Sequence, residues 1–332
     1  MVLSLVHPAP AVAAWKSILR TNVVNGEILA DLLELTAEQR RSLWLHPRFA
    51  LNVPLRLVNK MEKGTLDDPL LKQFLARIEE RESESGFACD PVQDGAFKQA
   101  HKFLHKYQGR ALILCSSACA MHCRFCFRQN FDYDTSIKGF EAALSAIAED
   151  PSINEVILSG GDPLSLDDAV LFSLIRKLER IPHVKKLRFH TRFPIGIPER
   201  IDESFLSCLA QTSLQVWFCI HANHPKEFDS EIFAALREIQ KLGIPVLNQG
   251  VLLKGVNDTA SVLVELYQLL ADNGVMPYYL HQLDRVFGSA RFEVAEAEGK
   301  ALIQEIAKQL PGYAVPRYVK EVPGQPGKVV LA

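Results

Sequence analysis

The sequence has no long hydrophobic run and no excess of basic residues, and each absence excludes a class of protein. Among its 332 residues, no stretch approaches the roughly 18 apolar residues that span a bilayer, so we expect no membrane segment. Lysine and arginine total 37 residues against 39 aspartates and glutamates, and this balance argues against a protein that binds nucleic acid through phosphate contacts. The apolar start MVLSLVHPAPAVAAW lacks a basic first part and is interrupted by Pro8 and Pro10, so we expect no secretion signal.

Cysteine is also scarce, and its distribution is uneven. The chain has seven cysteines, and three of them lie within the stretch CAMHCRFCFR, residues 119–128. An odd number of clustered cysteines is typical of reduced thiols in a cytoplasmic protein, not of a disulfide framework. We therefore expect a cytoplasmic protein whose cysteine cluster has a chemical role.

The periodicity of apolar residues changes near residue 100. Before it, stretches such as EILADLLELTAEQRRSLWL predict a helical region over residues 1–100. Six apolar runs then alternate with helical patterns, which predicts an α/β fold, a parallel sheet that forms a partial, TIM-like barrel over 101–292. Residues 293–332 are predicted to form a C-terminal helix and tail. The six predicted strands are ALILC, EVILSG, KLRFHT, LQVWFCI, PVLNQGVLL and MPYYLHQL.

The spacing C-x3-C-x2-C follows directly after the first predicted strand, where a barrel places its active site. Thiolates at such spacing bind zinc, copper(I) or an iron–sulfur cluster. His122 or Cys115 could complete a four-ligand site; without them, three thiolates leave one metal position open. From the residues alone, a structural zinc or RNA-binding module and a simple electron carrier remain alternatives.

The cysteine pattern, placed after the first strand of a six-unit chain, resembles that of the radical S-adenosylmethionine (SAM) superfamily. This resemblance implies a 4Fe-4S cluster bound by three thiolates and an open iron that binds SAM. Polar residues and glycines at later strand ends match the superfamily's SAM contacts, although Asp162 stands where Glu is familiar. The implied cluster ligands are Cys119, Cys123 and Cys126, and the implied SAM contacts are Ser159, Gly160, Gly161, Asp162, Arg192, His221 and Gln249.

Six further blocks, from about residue 100 onward, together resemble the lysine 2,3-aminomutase family: HKYQGRALIL, CRFCFRQNF, SGGDPL, NQGVLLKGVND, MPYYLHQLD and EVPGQPGK. This resemblance implies an isomerase that converts L-lysine to (R)-β-lysine with SAM and pyridoxal 5'-phosphate (PLP). Lys328 matches the lysine that holds PLP. Arg110 matches a phosphate-binding arginine, and Lys106 stands where the family commonly has a second one.

The same resemblance implies the substrate contacts. Arg128 matches the arginine that binds the substrate carboxylate, and a planar two-pronged donor suits that group. Asp284 matches an acid that binds the distal ammonium of lysine, and Glu321 stands where the family has a second acid, normally Asp. Glutamate or arginine remains an alternative substrate.

The resemblance is closest to the short bacterial members that supply (R)-β-lysine for the modification of elongation factor P. It implies two partners besides L-lysine, which are a one-electron reductant such as flavodoxin or ferredoxin and a pathway link to elongation factor P. The sequence predicts neither a nucleic-acid nor a membrane partner, and it leaves the oligomeric state open.

Overall fold

The structure is a computed structural model that describes residues 13–82, 84–133 and 138–332. Ten strands form one sheet in which each strand pairs with the next along the chain. The strands are β1 (Lys98–Ala100), β2 (Phe103–Tyr107), β3 (Arg110–Ser116), β4 (Glu155–Gly160), β5 (Lys186–Thr191), β6 (Gln215–Ile220), β7 (Val246–Val251), β8 (Met276–His281), β9 (Arg317–Lys320) and β10 (Val329–Val330).

Short helices precede the sheet, and longer ones connect its strands. Five lie before β1, namely α1 (Ala14–Leu19), α2 (Gly26–Leu32), α3 (Ala37–Arg40), α4 (Leu55–Val58) and α5 (Pro69–Phe74). Those after β3 are α6 (Glu141–Glu149), α7 (Asp168–Glu179), α8 (Phe193–Gly196), α9 (Glu203–Gln211), α10 (Ser230–Lys241), α11 (Ala260–Asp272) and α12 (Glu296–Ile306).

The sheet confirms the prediction of a partial α/β barrel. Strands β3 to β8, the six predicted from apolar runs, pair in parallel, as expected for strands joined by crossover connections. In the described part of the chain the sheet stays open, because β1 and β10 are its two edges. A seventh parallel strand, β9, and antiparallel strands at both edges were not predicted.

The predicted helices are confirmed after the sheet begins and only partly before it. Helices α7, α10 and α12 lie where the periodicity places them. The stretch EILADLLELTAEQRRSLWL forms two helices: α2 ends at Leu32, Glu34 adopts a positive φ of 55°, and Thr36 caps the separate helix α3 with Gln39. A left-handed residue and a capping box end one helix and begin another.

One hydrophobic core joins the N-terminal helices to the barrel, since buried residues such as Trp15 and Leu29 belong to the same cluster as Phe189 and Phe218. Strands β9 and β10 extend the sheet into the C-terminal segment. The domain boundaries at residues 100 and 292 stay a prediction. Within the three described ranges, no helix is long and apolar enough to cross a membrane.

Candidate active site

The cysteines lie on a loop, residues 119–126, that follows β3 at the C-terminal edge of the parallel strands. The N-terminal region holds the backbone of this cysteine loop. Asn22 and Asn52 donate side-chain hydrogen bonds to loop carbonyls at 2.7 and 3.1 Å, and the amide of His122 donates to the carbonyl of Asn52 at 2.9 Å. The loop conformation therefore depends on contacts far away in sequence.

A buried ion pair adds a second clamp on the cysteine loop. Arg124 donates from Nε and Nη2 to the Glu80 carboxylate at 2.8 and 2.6 Å, and from Nη1 to the carbonyl of Phe49 at 2.7 Å. Arg291 pairs with the same Glu80 at 3.0 Å. Removal of one partner from such a buried pair costs about 3–5 kcal/mol, so this contact fixes the loop firmly against the N-terminal region.

The three thiols are close enough to influence one another. Burial raises the pKa of Cys126 to about 11, and the negative charge of Cys123 adds to the effect. Burial, the charge of Asp162 and the other two thiolates raise the pKa of Cys119. Within the described residues, no three His, Cys, Asp or Glu side chains converge on a single-ion site. In an iron–sulfur cluster each thiolate binds a different iron, whereas a structural zinc needs four ligands on one ion.

The two candidates for a fourth ligand are engaged elsewhere. His122 Nδ1 lies 2.8 Å from the carbonyl of Ala50, and its ring stacks on Phe49 with 4.7 Å between centroids. Cys115 is buried in β3 with its sulfur directed at the carbonyl of Ile113, 3.7 Å away. Cys115 is thus held within its own strand and His122 through its Nδ1, and the three thiols of the loop are the set that leaves one iron of a cluster open.

The two glycines after β4 bring their turn onto the chain that leads into the cysteine loop. A Cβ added at Gly161 would lie 2.4 Å from the carbonyl oxygen of Ala118, and one at Gly160 would lie 2.8 Å from that of Ser116. Gly160 also has a φ of +113°, which favours glycine. The close approach is made to the protein itself, and the predicted contact of these glycines with SAM stays a prediction.

Asp162 ties this turn to the end of β5. Its buried carboxylate accepts hydrogen bonds from the Thr191 hydroxyl at 2.8 Å and from the amides of Arg192, Phe193 and Leu164 at 2.7, 3.1 and 3.0 Å. Burial raises the pKa of this carboxyl to about 6, against the lowering effect of these donors. Both oxygens are used inside the protein, so the acid holds two strand ends together.

Arg192 follows β5 and points toward the cysteine loop. Its Nη1 lies 2.7 Å from Cys123 Sγ, and its Nη2 donates to Gln73 at 2.8 Å and to Glu227 at 2.7 Å. The guanidinium is therefore engaged with a predicted cluster ligand and with two residues that hold it.

Several polar groups face the barrel interior at the same edge. His190 in β5 and His221 after β6 each have a buried Nε2 with no hydrogen-bond partner in the described part of the chain. Burial lowers the pKa of both rings well below the usual range, and His221 stacks on Phe125 with 5.8 Å between centroids. Ser159 accepts from a guanidinium at 3.4 Å, and Gln249 is half-buried in β7. Neutral rings with unpartnered nitrogens are suited to a bound polar ligand.

A chain of ion pairs links the cysteine loop to the C-terminal lysine. Arg128 donates from Nε to Asp94 Oδ2 at 2.7 Å, and Lys106 Nζ lies 2.7 Å from Asp94 Oδ1 and 3.6 Å from Glu321 Oε1. Lys328 donates to Glu321 Oε2 at 2.8 Å. Burial tends to raise the pKa of Asp94, but the two cations lower it overall. Residues from five places in the sequence thus form one connected network.

Asp284 lies beside this network and lines a cavity of about 880 Å³ that Glu321 also lines. No other described residue hydrogen-bonds or ion-pairs with its carboxylate. Burial raises the pKa of Asp284 to about 7, and the charge of Lys328 opposes this while that of Glu321 adds to it. An acid without a partner, beside a cavity, is available to a cationic ligand.

The two predicted phosphate contacts lie in different surroundings. Lys106 is engaged with its two acids and with the carbonyl of Val92 at 2.7 Å. Arg110 packs over the Tyr107 ring at 4.6 Å, and its Nη2 lies 4.0 Å from where a Cβ on Gly327 would be. Arg110 therefore lies beside the Lys328 segment and, within the described residues, has no acid partner, whereas Lys106 has two.

Comparison with known proteins identifies the family. A model of the Radical SAM superfamily matches residues 113–266. An L-lysine 2,3-aminomutase from Escherichia coli is 40% identical over 327 residues, 97% of this chain and 95% of its own. The corresponding protein from Haemophilus influenzae is 38% identical over 322 residues, 96% of this chain and 95% of its own. The chain belongs to the L-lysine 2,3-aminomutase family.

It is therefore a radical SAM enzyme, an isomerase. Among solved structures, Streptococcus suis SuiB bound to S-adenosylmethionine matches 69% of this chain and 53% of its own, with 16% identity and a TM-score of 0.49. Membership of the aminomutase family implies three cofactors, which are a 4Fe-4S cluster, SAM and PLP. The three interacting thiols and the unpartnered imidazole nitrogens fit such groups.

Several residues of the site have no signal in the sequence. Asp94 lies in the irregular stretch PVQDGAF, and Gln73 and Glu227 lie far from the cysteine loop that they support. Each has its role only because the fold brings distant segments together. Tyr107, which donates to Glu321 at 2.5 Å, lies in HKYQGR, so this family block is the one signal that pointed near it.

Proposed function

We propose that this chain is a PLP-dependent L-lysine 2,3-aminomutase, which moves the amino group of L-lysine from C2 to C3 and yields (R)-β-lysine. The observation that carries the proposal is the network of ion pairs from Arg128 to Lys328. It connects the amine that would hold PLP with the arginine that would bind a substrate carboxylate, beside the cysteine loop. Amino migration by a radical route needs these groups held close together.

The cluster ligands in this proposal are Cys119, Cys123 and Cys126. When bound, the reduced cluster and SAM supply a radical that removes a hydrogen atom from the substrate. The unpartnered Nε2 of His221 and the polar strand ends support a SAM site next to the loop. The residues proposed to line that site are Ser159, Gly160, Gly161, Asp162, Arg192, His221 and Gln249.

Lys328 is the residue proposed to hold PLP covalently. When bound, PLP supplies a π system through which nitrogen passes between neighbouring carbons. Glu321 holds the Lys328 amine at 2.8 Å, and Arg110 lies beside the segment that carries it, where it would bind the phosphate. Lys106 would add a point charge to that phosphate, without the two-pronged geometry of an arginine.

The substrate contacts follow from which groups are free. Among the described residues, Arg128 donates from Nε to Asp94 and makes one long side-chain contact of 3.4 Å from Nη1, so its outer edge can bind a carboxylate. Asp284 has no partner within the described residues and can bind the distal ammonium of lysine. Glu321 would be the second acid near that ammonium, although its carboxylate also accepts a hydrogen bond from Lys328.

The proposed biological role is to supply (R)-β-lysine for the modification of elongation factor P in the cytoplasm, with a flavodoxin or ferredoxin as the electron donor. The 40% identity to the Escherichia coli L-lysine 2,3-aminomutase supports the lysine aminomutase activity on which this role rests. Intact mass spectrometry of elongation factor P, from cells with and without this gene, would test it. Loss of the added β-lysyl mass without the gene is expected.

The experiment that tests the activity uses anaerobically reconstituted protein with SAM, PLP and dithionite. L-lysine, L-glutamate and L-arginine are supplied separately, and β-amino acids are detected by chromatography. We expect β-lysine from L-lysine alone. A β-amino acid from either other substrate would correct the substrate, and 5'-deoxyadenosine without any β-amino acid would refute the aminomutase activity. A colourless protein without iron would refute the cluster.

A further inference from the structure

Arg192 makes a contact that its expected role as a SAM ligand does not explain. Its Nη1 lies 2.7 Å from Cys123 Sγ, a distance at which the guanidinium donates a hydrogen bond to the sulfur. Within the described residues, no other side chain donates to the thiol of Cys119, Cys123 or Cys126. One of the three proposed cluster ligands therefore has a cationic donor, and the other two do not.

The guanidinium is held where it is by groups from three parts of the chain. Nη2 donates to Gln73 before the barrel and to Glu227 after β6, and the Arg192 backbone amide donates to Asp162. The ring of Phe74 lies 5.2 Å from the guanidinium carbon. Arg192 is 8% exposed, so water does little to screen its charge from the sulfur.

Glu227 and Gln73 are held in turn, which limits any movement of the guanidinium. Glu227 is fully buried and accepts from the backbone amides of Asn223 and His224 at 2.8 and 3.1 Å. Gln73 accepts from the Asn223 side chain at 2.9 Å. The donor that faces Cys123 is therefore part of a buried hydrogen-bond network and not a mobile surface cation.

A hydrogen bond and a positive charge at a ligating sulfur stabilise the form of the cluster that carries more negative charge, which is the reduced form. We propose that Arg192 is a positioning residue that raises the reduction potential of the cluster through Cys123. The inference rests on the proposed role of Cys123 as a cluster ligand. As a consequence, the cluster accepts an electron from the external donor more readily, before SAM reacts.

The test is a redox titration of the SAM-free reconstituted protein, in which dithionite supplies one electron per cluster and electron paramagnetic resonance reports the reduced form. The variants are Arg192→Gln, which removes the charge, and Arg192→Lys, which keeps the charge but lacks the planar, two-pronged guanidinium donor. The control is Arg188→Gln in the preceding strand β5, because Arg188 pairs with Glu155 and does not contact a cysteine of the loop. Iron and sulfide are counted in every preparation.

We expect Arg192→Gln to lower the ratio of reduced to oxidised cluster about tenfold at a fixed solution potential, equivalent to about 59 mV for a one-electron couple. Arg192→Lys should shift it less, and Arg188→Gln should leave it unchanged. An unchanged potential in Arg192→Gln with full iron would overturn the inference. If SAM affinity fell in the same variant, Arg192 would be a SAM contact and not a residue that tunes the cluster. Failure of both Arg192 variants to assemble a cluster would also overturn it, because Arg192 would then build the site instead of tuning it. An iron-free parent protein would instead refute the proposed function.

Discussion

Lys328 and Glu321 form an ion pair, with 2.8 Å between Nζ and Oε2, while the Tyr107 hydroxyl donates to Oε1 of the same carboxylate at 2.5 Å. Burial tends to raise the pKa of Glu321, but Lys328 and its other donors lower it overall. Glu321, one of the two acids expected to bind the substrate ammonium, is thus already paired with Lys328 of the protein itself. Asp284 is the acid that is free within the described residues, so we expect it to carry most of the selectivity for lysine.

Replacement of Lys328 should separate PLP binding from the rest of the fold. We expect Lys328→Ala to lower aminomutase activity by about 1000-fold or more, because loss of a covalent catalytic group acts on that scale or above, and to abolish the absorbance of enzyme-bound PLP. Absorbance spectra and product formation measure the two effects. Lys308→Ala is the control, since Lys308 lies on the surface and pairs with Glu305. Retained PLP absorbance and activity in Lys328→Ala would show that another lysine holds the cofactor.

Asp284→Asn should weaken lysine binding more than it affects turnover. Loss of one partner from a desolvated charge pair costs about 2 kcal/mol or more, so KM for lysine should rise about 30-fold. Initial rates over a range of lysine concentrations measure it. Asp258→Asn is the control, because Asp258 lines the same cavity. A rise in KM of similar size in both variants would count against a specific role for Asp284.

The pH dependence of lysine binding follows from the same carboxyl. Its pKa is raised to about 7 by burial, so the group loses its charge as the pH falls through 7, and KM for lysine should rise below that pH. Folding responds in the opposite sense: because the pKa of Asp284 is raised in the folded protein, the destabilisation grows as the pH rises from about 4 toward 7 and is complete above pH 7. We therefore expect Asp284→Asn to unfold at a higher temperature than the parent at pH 8, and to show a flat KM profile between pH 6 and pH 8. A profile that keeps its slope would assign the titration to another group.

Most of the parallel sheet could be predicted from the sequence, because buried strands such as β4 and β6 contain short continuous apolar runs, VIL and VWFCI. Strand β9 could not, since Arg317–Lys320 has two cations among its four residues and pairs only through the fold. The residues of the site likewise fall into those that the sequence could predict and those that it could not. The cysteines form a local pattern, but the partners of Arg128 and Arg192, namely Asp94, Gln73 and Glu227, lie far from them in the sequence, and only the fold brings them together.

The role of the glycine turn can be tested by adding a single methyl group. In Gly161→Ala the new Cβ would lie 2.4 Å from the carbonyl of Ala118, so backbone must move. Overpacking of this kind costs about 1–3 kcal/mol, and the shift would reach the cysteine loop. We expect lower urea stability and less iron per chain. Gly312→Ala is the matched control, because nothing lies within 4 Å of its added Cβ. Full iron content in Gly161→Ala would show that the loop does not depend on this contact.

Asp94 should matter to stability as much as to catalysis, because it joins Arg128 and Lys106 in a buried network. Asp94→Asn leaves buried Arg128 without its acid and Lys106 with only its longer pair to Glu321, and we expect the free energy of unfolding to fall by about 3 kcal/mol or more, measured by urea denaturation at pH 7.5. Asp67→Asn is the control, since Asp67 is 91% exposed in its pair with Lys72 and such pairs contribute about 1 kcal/mol or less. Equal losses in the two variants would contradict the network.

The pH dependence of stability gives a second test of the same residue. The lowered pKa of Asp94 means that its stabilising effect is present above the ordinary carboxyl range, near about pH 4, and is lost as the pH falls further through its folded pKa. The parent should therefore lose its advantage over Asp94→Asn on acidification below about pH 4.

Since Arg128 would also lose the acid that orients it, KM for lysine should rise in the variant while the iron content stays constant. A variant that loses iron but keeps its KM would place Asp94 with the cluster instead of with the substrate.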